Sequence, residues 1–116
     1  MGEMCEEWGK KVPGSKYGYS GVGAVVGATY PEQLSELRAK LPHTFVLVPG
    51  YGAQGGGGKG VSGAFDKDGL GAIVNASRSI ICAYKKEGCD ETESAGAARR
   101  EAIRMREDIC SYINLK

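Results

Sequence analysis

Phe45-Val46-Leu47-Val48-Pro49-Gly50-Tyr51-Gly52-Ala53-Gln54-Gly55-Gly56-Gly57-Gly58 is the stretch that decides the fold. Its first part is an apolar run rich in β-branched residues, the composition of a buried strand. Its second part is nearly bare backbone around a single glutamine. A strand that ends in glycines lets a ligand come close to the N–H groups, and anions exploit such concavities. Two other segments share the strand character. Val22 to Ala28 is a continuous small and apolar run, which reads as a strand buried on both faces. Gly71-Ala72-Ile73-Val74-Asn75 is a third strand and ends in Ala76-Ser77-Arg78. Two neighbouring strand ends, one carrying a glycine loop and one an arginine, read as a phosphate site.

Helical patterns fill the intervals. Thr29-Tyr30-Pro31-Glu32 opens a helix: Pro31 suits the first turn, and Thr29 with Glu32 has capping-box spacing. Leu34, Leu37 and Leu41 then form one apolar stripe, and Pro42 ends it. Val61, Ala64 and Phe65 form the buried face of a short helix stopped at Asp68-Gly69. Ser77 to Tyr84 reads as a short helix. After Gly88, residues 92–113 form a long helix whose Ala98, Ala102, Met105, Ile109 and Tyr112 recur at i, i+4, i+7, i+11 and i+14. Ahead of the first strand, residues 3–11 are helical with Met4, Cys5 and Trp8 on one side. Pro13-Gly14-Ser15 and Tyr17-Gly18-Tyr19-Ser20 follow as a loop. That first helix begins at residue 1 without a cap or a preceding strand, the expectation for a truncated domain.

Unbroken apolar strands separated by helices predict a parallel sheet. The strands begin near residues 22, 45 and 71, close to the roughly 31 residues that each unit of a ~250-residue (β/α)8 barrel occupies. The expected fold is therefore α/β: three strand–helix units of a TIM barrel over residues 1–116, with parallel strands, a long C-terminal helix and no second domain. Three parallel strands cannot close a barrel, so either the piece is excised or partners complete it.

Composition narrows the function. Glycine is the outlier, 19 of 116 residues, about twice the average of roughly 7% and without a collagen-like period. The net charge of +1 gives no argument for nucleic acid or an anionic membrane. Arg99, Arg100, Arg104 and Arg106 interleave with Glu101, Glu107 and Asp108, the pattern of a solvated helix face. Cys5, Cys82, Cys89 and Cys110 form no C-x-x-C pair, and His43 is remote from all four, so no metal site is expected. Reduced thiols in a cytoplasmic protein are the expectation. No apolar run approaches the ~20 residues of a membrane helix, and Glu6 stands where myristoylation prefers Ser or Thr.

In barrels, ligands bind at the C-terminal strand ends, with phosphate often between the last two loops and a short extra helix. The Gly50–Gly58 loop, Ser77-Arg78 and the short helix containing Ile80-Ile81 occur in that order. Arg78 offers a charged fork to phosphate oxygens. Gln54 can hold phosphate, bridge to a base or tie the loop down. Tyr51 and Tyr84 read as packing residues, Asn75 as a strand terminator. His43, between a helix stop and a strand on the opposite face, has no catalytic role. Gly50-x-Gly52-x-x-Gly55 formally fits the dinucleotide fingerprint, but Asn75 stands where an acidic residue should bind ribose. Gly58-Lys59 fails as a P-loop, because Ala53 replaces the first glycine and Gly60 the Ser/Thr.

Pro49-Gly50-Tyr51-Gly52-Ala53-Gln54-Gly55-Gly56 and Gly71-Ala72-Ile73-Val74-Asn75-Ala76-Ser77-Arg78 together resemble orotidine 5'-phosphate decarboxylase. Val22 to Pro31 looks like the longer, bacterial-type subgroup, and the resemblance runs from about Glu7 to Tyr84. It implies the C-terminal part of a (β/α)8 barrel that makes uridine 5'-phosphate in pyrimidine biosynthesis without a cofactor. By that resemblance Gln54 and Arg78 grip the substrate phosphate, and the Ser77 and Arg78 backbone donates to it. Gly52, Gly55 and Gly56 form the phosphate loop, and Pro49 lies against the pyrimidine. The family's alternating Asp and Lys residues lie on early strands. No D-x-K-x-x-D pattern exists here, and Asp66-Lys67-Asp68 sits at the wrong end of a strand, so this chain holds no catalytic residue of its own. The implied partners are orotidine or uridine 5'-phosphate and the N-terminal part of the barrel, or a second copy. A non-catalytic phosphate- or nucleotide-binding half-barrel that self-associates is the alternative. Four glycines at 55–58, where the family commonly has two followed by Thr or Asp, and Ala76 and Ser79, where Ser and Gly are frequent, depart from the family pattern.

Overall fold

Three short strands pair in parallel in the order β1 (Gly23–Val25), β2 (Phe45–Pro49) and β3 (Ala72–Asn75). This is a computed structural model, and it describes residues 1–14, 16–52 and 57–114. Helices lie between and around the strands: α1 (Gly2–Gly9), α2 (Pro31–Lys40), α3 (Gly58–Ser62), α4 (Arg78–Ile81), α5 (Ala83–Glu87), a 3-10 turn (Glu91–Glu93) and α6 (Ser94–Cys110).

One face of the sheet is buried and the other is not. Val46 and Val48 point into a core with Ala28, Leu34, Tyr51, Val61, Ala64, Met105 and Ile109. The opposite face carries Val25, Leu47 and Ile73, which stand in register across all three strands. They are 69%, 38% and 57% exposed. The expectation that the Val22–Ala28 strand is buried on both faces is thus corrected. β1 is three residues long with the pattern exposed, half-buried, exposed. Its outer edge and its second face have nothing to pack on, because three strands do not close on themselves.

Other local expectations shift in the same way. α2 starts one residue late: Tyr30 rather than Thr29 is the N-cap, without a side-chain cap bond of its own, and Pro31 occupies the first turn. Leu34 and Leu41 are buried as expected, but so is Arg38. Its guanidinium donates to the carbonyls of Ala64, Gly71, Leu41 and Thr44. It also lies over the Tyr19 ring, whose hydroxyl donates to Asp66. Gly71 has φ +90°, and a Cβ there would meet the Tyr19 hydroxyl at 2.2 Å. On α1, Cys5 is buried while Met4 and Trp8 are 49% and 46% exposed, so the apolar side expected for this helix is only partly covered. In α6 the buried line is Ala97, Met105 and Ile109, whereas Ala102 is exposed, and Tyr112 is exposed beyond the helix, which ends at Cys110 rather than at 113. Ser77 to Tyr84 is two short helices, α4 and α5, broken at Cys82. Among the described residues no helix is long and apolar enough to cross a membrane.

Candidate functional site

The C-terminal ends of β2 and β3 open onto one cavity of about 710 Å³. Pro49, Gly50, Tyr51 and Gly52 enter it from the end of β2, and Asn75, Ala76, Ser77, Arg78 and Ser79 from the end of β3. The parallel register sets Pro49 beside Asn75, so the two loops leave the sheet at the same level. Gly50 and Gly52 have φ of +93° and +77°, conformations that an L side chain strains to adopt. Of the residues expected at a phosphate site, Pro49, Gly52, Ser77 and Arg78 therefore share one cavity. Gln54, Gly55 and Gly56 lie outside the described residues.

Ser77 is the N-cap of α4, with no side-chain cap bond, and Arg78 is its first residue. Both are exposed. Among the described residues no carboxylate forms an ion pair with Arg78, which leaves its fork of donors for a ligand. α4 is only four residues long, so its dipole adds little and the arginine is the main attraction for an anion. Asn75 Nδ2 approaches the Ser77 hydroxyl at 3.4 Å, a local contact consistent with strand termination.

The far wall of the cavity comes from α5 and α6: Lys86, Glu101 and Arg104. Arg104 is exposed, as a solvated helix face requires, whereas Glu101 and Asp108 on the same helix are half-buried, against that expectation. Arg104 makes a two-pronged pair with Glu101, 2.9 Å and 2.6 Å, and holds the Glu101 carboxyl below its ordinary range. Asp108 accepts from the Tyr51 hydroxyl and, at 2.7 Å, from the Gly58 N–H. These two bonds keep its carboxyl below the usual aspartate value. Burial and the Asp108 bond push the Tyr51 phenol up to about 12. Tyr51 is buried, as expected for a packing residue, but its hydroxyl makes a specific bond as well. The available signal was the helical spacing of Glu101, Arg104 and Asp108, one step beside Met105 and Ile109. With Arg78, Lys86 and Arg104 against Glu101, the lining is cationic on balance, which favours an anionic ligand.

His43 lies at the other end of the sheet. Glu6 on α1 accepts from its backbone N–H and contacts its ring at 2.6 Å, and also accepts from Thr44 Oγ1. Among the described residues no group of three or more acidic, Cys or His side chains is arranged to hold a metal ion.

No protein-family model matches the chain. It is 52% identical over 96 residues to the orotidine 5'-phosphate decarboxylase of Rhodopirellula baltica, covering 79% of this chain and 32% of that protein. Over all 116 residues it is 44% identical to the orotidine 5'-phosphate decarboxylase of Clostridium tetani, of which it covers 39%. It superposes on a crystal structure described as an orotidine-monophosphate-decarboxylase from Toxoplasma gondii with a TM-score of 0.62 and 28% identity, covering 94% of this chain and 41% of that one. The chain is thus homologous to part of these proteins and spans about a third to two-fifths of their length. Its parallel strand–helix units are those of a partial TIM barrel.

Proposed function

We propose that residues 1–116 are the C-terminal part of an orotidine 5'-phosphate decarboxylase and supply its grip on the substrate phosphate. One observation carries this reading: the strand ends bearing Pro49–Gly52 and Ser77–Arg78 meet in a single cationic cavity. Arg78 holds the phosphate with charge-assisted bonds worth on the order of 1.5–3 kcal/mol. Gln54 and the backbone of Ser77 and Arg78 complete the grip, with Gly52, Gly55 and Gly56 as the phosphate loop and Pro49 against the pyrimidine. No cofactor takes part.

Phosphate is remote from the carbon–carbon bond that breaks. Its binding energy lowers the barrier only by holding the closed, reactive arrangement. Decarboxylation to uridine 5'-phosphate needs the Asp and Lys residues of the other part of the barrel, so this chain alone is silent. In the completed enzyme, Arg78→Ala should depress kcat/KM on orotidine 5'-phosphate by about tenfold or more and leave the phosphate-free nucleoside untouched. Equal loss on both substrates would overturn the grip.

A second reading rests on the exposed ladder of Val25, Leu47 and Ile73: a non-catalytic nucleotide-binding half-barrel that pairs with a second copy through this face. Isothermal titration with uridine 5'-phosphate, with and without the N-terminal part, separates the two. Decarboxylation on mixing supports the split enzyme. Binding without any gain on mixing supports the half-barrel.

A further inference from the structure

One carboxylate ties together both flanks of the glycine-rich segment. Asp108 Oδ2 accepts from the hydroxyl of Tyr51, on the β2 side, and from the N–H of Gly58, which opens α3. Tyr51 is almost wholly buried, at 3% exposed, so its hydroxyl has little water to fall back on. Gly58 is pressed against α6 so closely that a Cβ would stand 2.5 Å from the Asp108 carbonyl oxygen, and one on Gly57 would stand 3.2 Å from the Asp108 carboxylate. α4, which carries Arg78, packs on the same helix, as do α3 and α5. α6 is therefore the common platform under both strand ends that meet in the cavity.

We propose that Asp108 is a positioning residue of the phosphate site, fixing Tyr51 and Gly58 on α6 so that the β2 end faces Ser77 and Arg78 in a ready-made geometry. The inference rests on the phosphate-grip reading and adds to it. The terminal helix becomes part of the machinery through Asp108, 30 residues beyond Arg78 in sequence, although Asp108 does not touch the ligand. Preorganised donors bind an anion more tightly than donors that must first be ordered.

The test titrates the 15N-labelled 116-residue chain with uridine 5'-phosphate and, separately, with uridine, following the Ser77 and Arg78 amides. Tyr51→Phe, Asp108→Ala and Arg78→Ala are compared with the parent chain, with melting curves for each. Tyr51→Phe and Asp108→Ala should each weaken uridine 5'-phosphate binding about tenfold while leaving the response to uridine within about twofold. A variant that melts earlier yet keeps the parent's preference for the phosphorylated ligand shows a merely structural role and overturns the inference. Should Asp108→Ala fail to fold, Tyr51→Phe, which removes one hydroxyl, decides alone. If Arg78→Ala weakens binding and both clamp variants do not, the inference falls and the grip stands. If Arg78→Ala has no effect, or the parent chain binds no uridine 5'-phosphate either alone or with the N-terminal part added, the grip reading falls and this inference with it.

Discussion

At the scale of single residues, the informative positions are those where a side chain reaches far along the chain. Arg38 satisfies four backbone carbonyls, two of them 26 and 33 residues away. Replacing it by Met takes its donors from the Ala64 and Thr44 carbonyls, while the Gly71 and Leu41 carbonyls keep the N–H groups of Val46 and Thr44. At about 1–3 kcal/mol for each unsatisfied group, the variant should lose roughly 3 kcal/mol or more, read as a lower urea midpoint with an unchanged slope. Gly58→Ala forces a methyl group into the backbone of α6 and should cost about 1–3 kcal/mol. A stability within a few tenths of the parent would mean that α3 does not pack so closely. That Arg78 and the Gly50–Gly52 turn lie at neighbouring strand ends is legible in the sequence, because each sits in a short run just after an apolar strand. Arg38 and Asp108 are not legible in this way, since each looks like a helix-surface charge until its partners arrive from distant segments.

Elements were legible in kind and less so in their faces. All three strands and the helices between them were readable from apolar runs and helical spacing. The burial of the Val22–Ala28 run on both faces was misread, because an unbroken apolar strand signals two covered faces only when the whole sheet is present. Met105 and Ile109 of the expected α6 stripe are buried, but its N-terminal part lies one step off, with Ala97 rather than Ala98 buried and Ala102 exposed, since alanines at neighbouring positions make two faces look alike. α1 is held by Glu6. Burial raises its carboxyl pKa, but the bonds from Thr44 and His43 outweigh this and leave it below its ordinary 4.5. Asp66, bonded to Tyr19 and to the Leu70 and Asp68 amides, is likewise held below 3.8 despite burial, and Asp108 is lowered by Tyr51 and Gly58. A carboxylate whose folded pKa is depressed stabilises fully above its unfolded value, and that stability is lost as pH falls through the folded one. The chain should therefore hold its urea midpoint above about pH 5 and lose it steadily below about pH 4. Glu6→Gln should flatten the upper part of that decline and speed hydrogen exchange in α1. An acid profile identical to the parent's would contradict this role of Glu6.

At the scale of the molecule, the chain is elongated. The radius of gyration is 15.7 Å and the extents are 49 × 27 × 27 Å, whereas a compact domain of this length has a radius of about 13 Å. The in-register ladder of Val25, Leu47 and Ile73, with Phe45 at 40% exposure beside it, is an apolar sheet face open to solvent. Such a face drives association in water. Sedimentation of the chain alone should show concentration-dependent mass, and Ile73→Lys should return it to a monomer. A parent chain that stays monomeric at high concentration would contradict the open-face account.

The most direct test of the central claim mixes this chain with the remaining N-terminal part of a relative such as the Clostridium tetani protein and follows loss of carbon dioxide from orotidine 5'-phosphate. The account predicts no turnover from either part, turnover from the mixture, and its collapse when Arg78→Ala replaces the parent chain. Stable association of the two parts with no turnover, or turnover indifferent to Arg78, would contradict it.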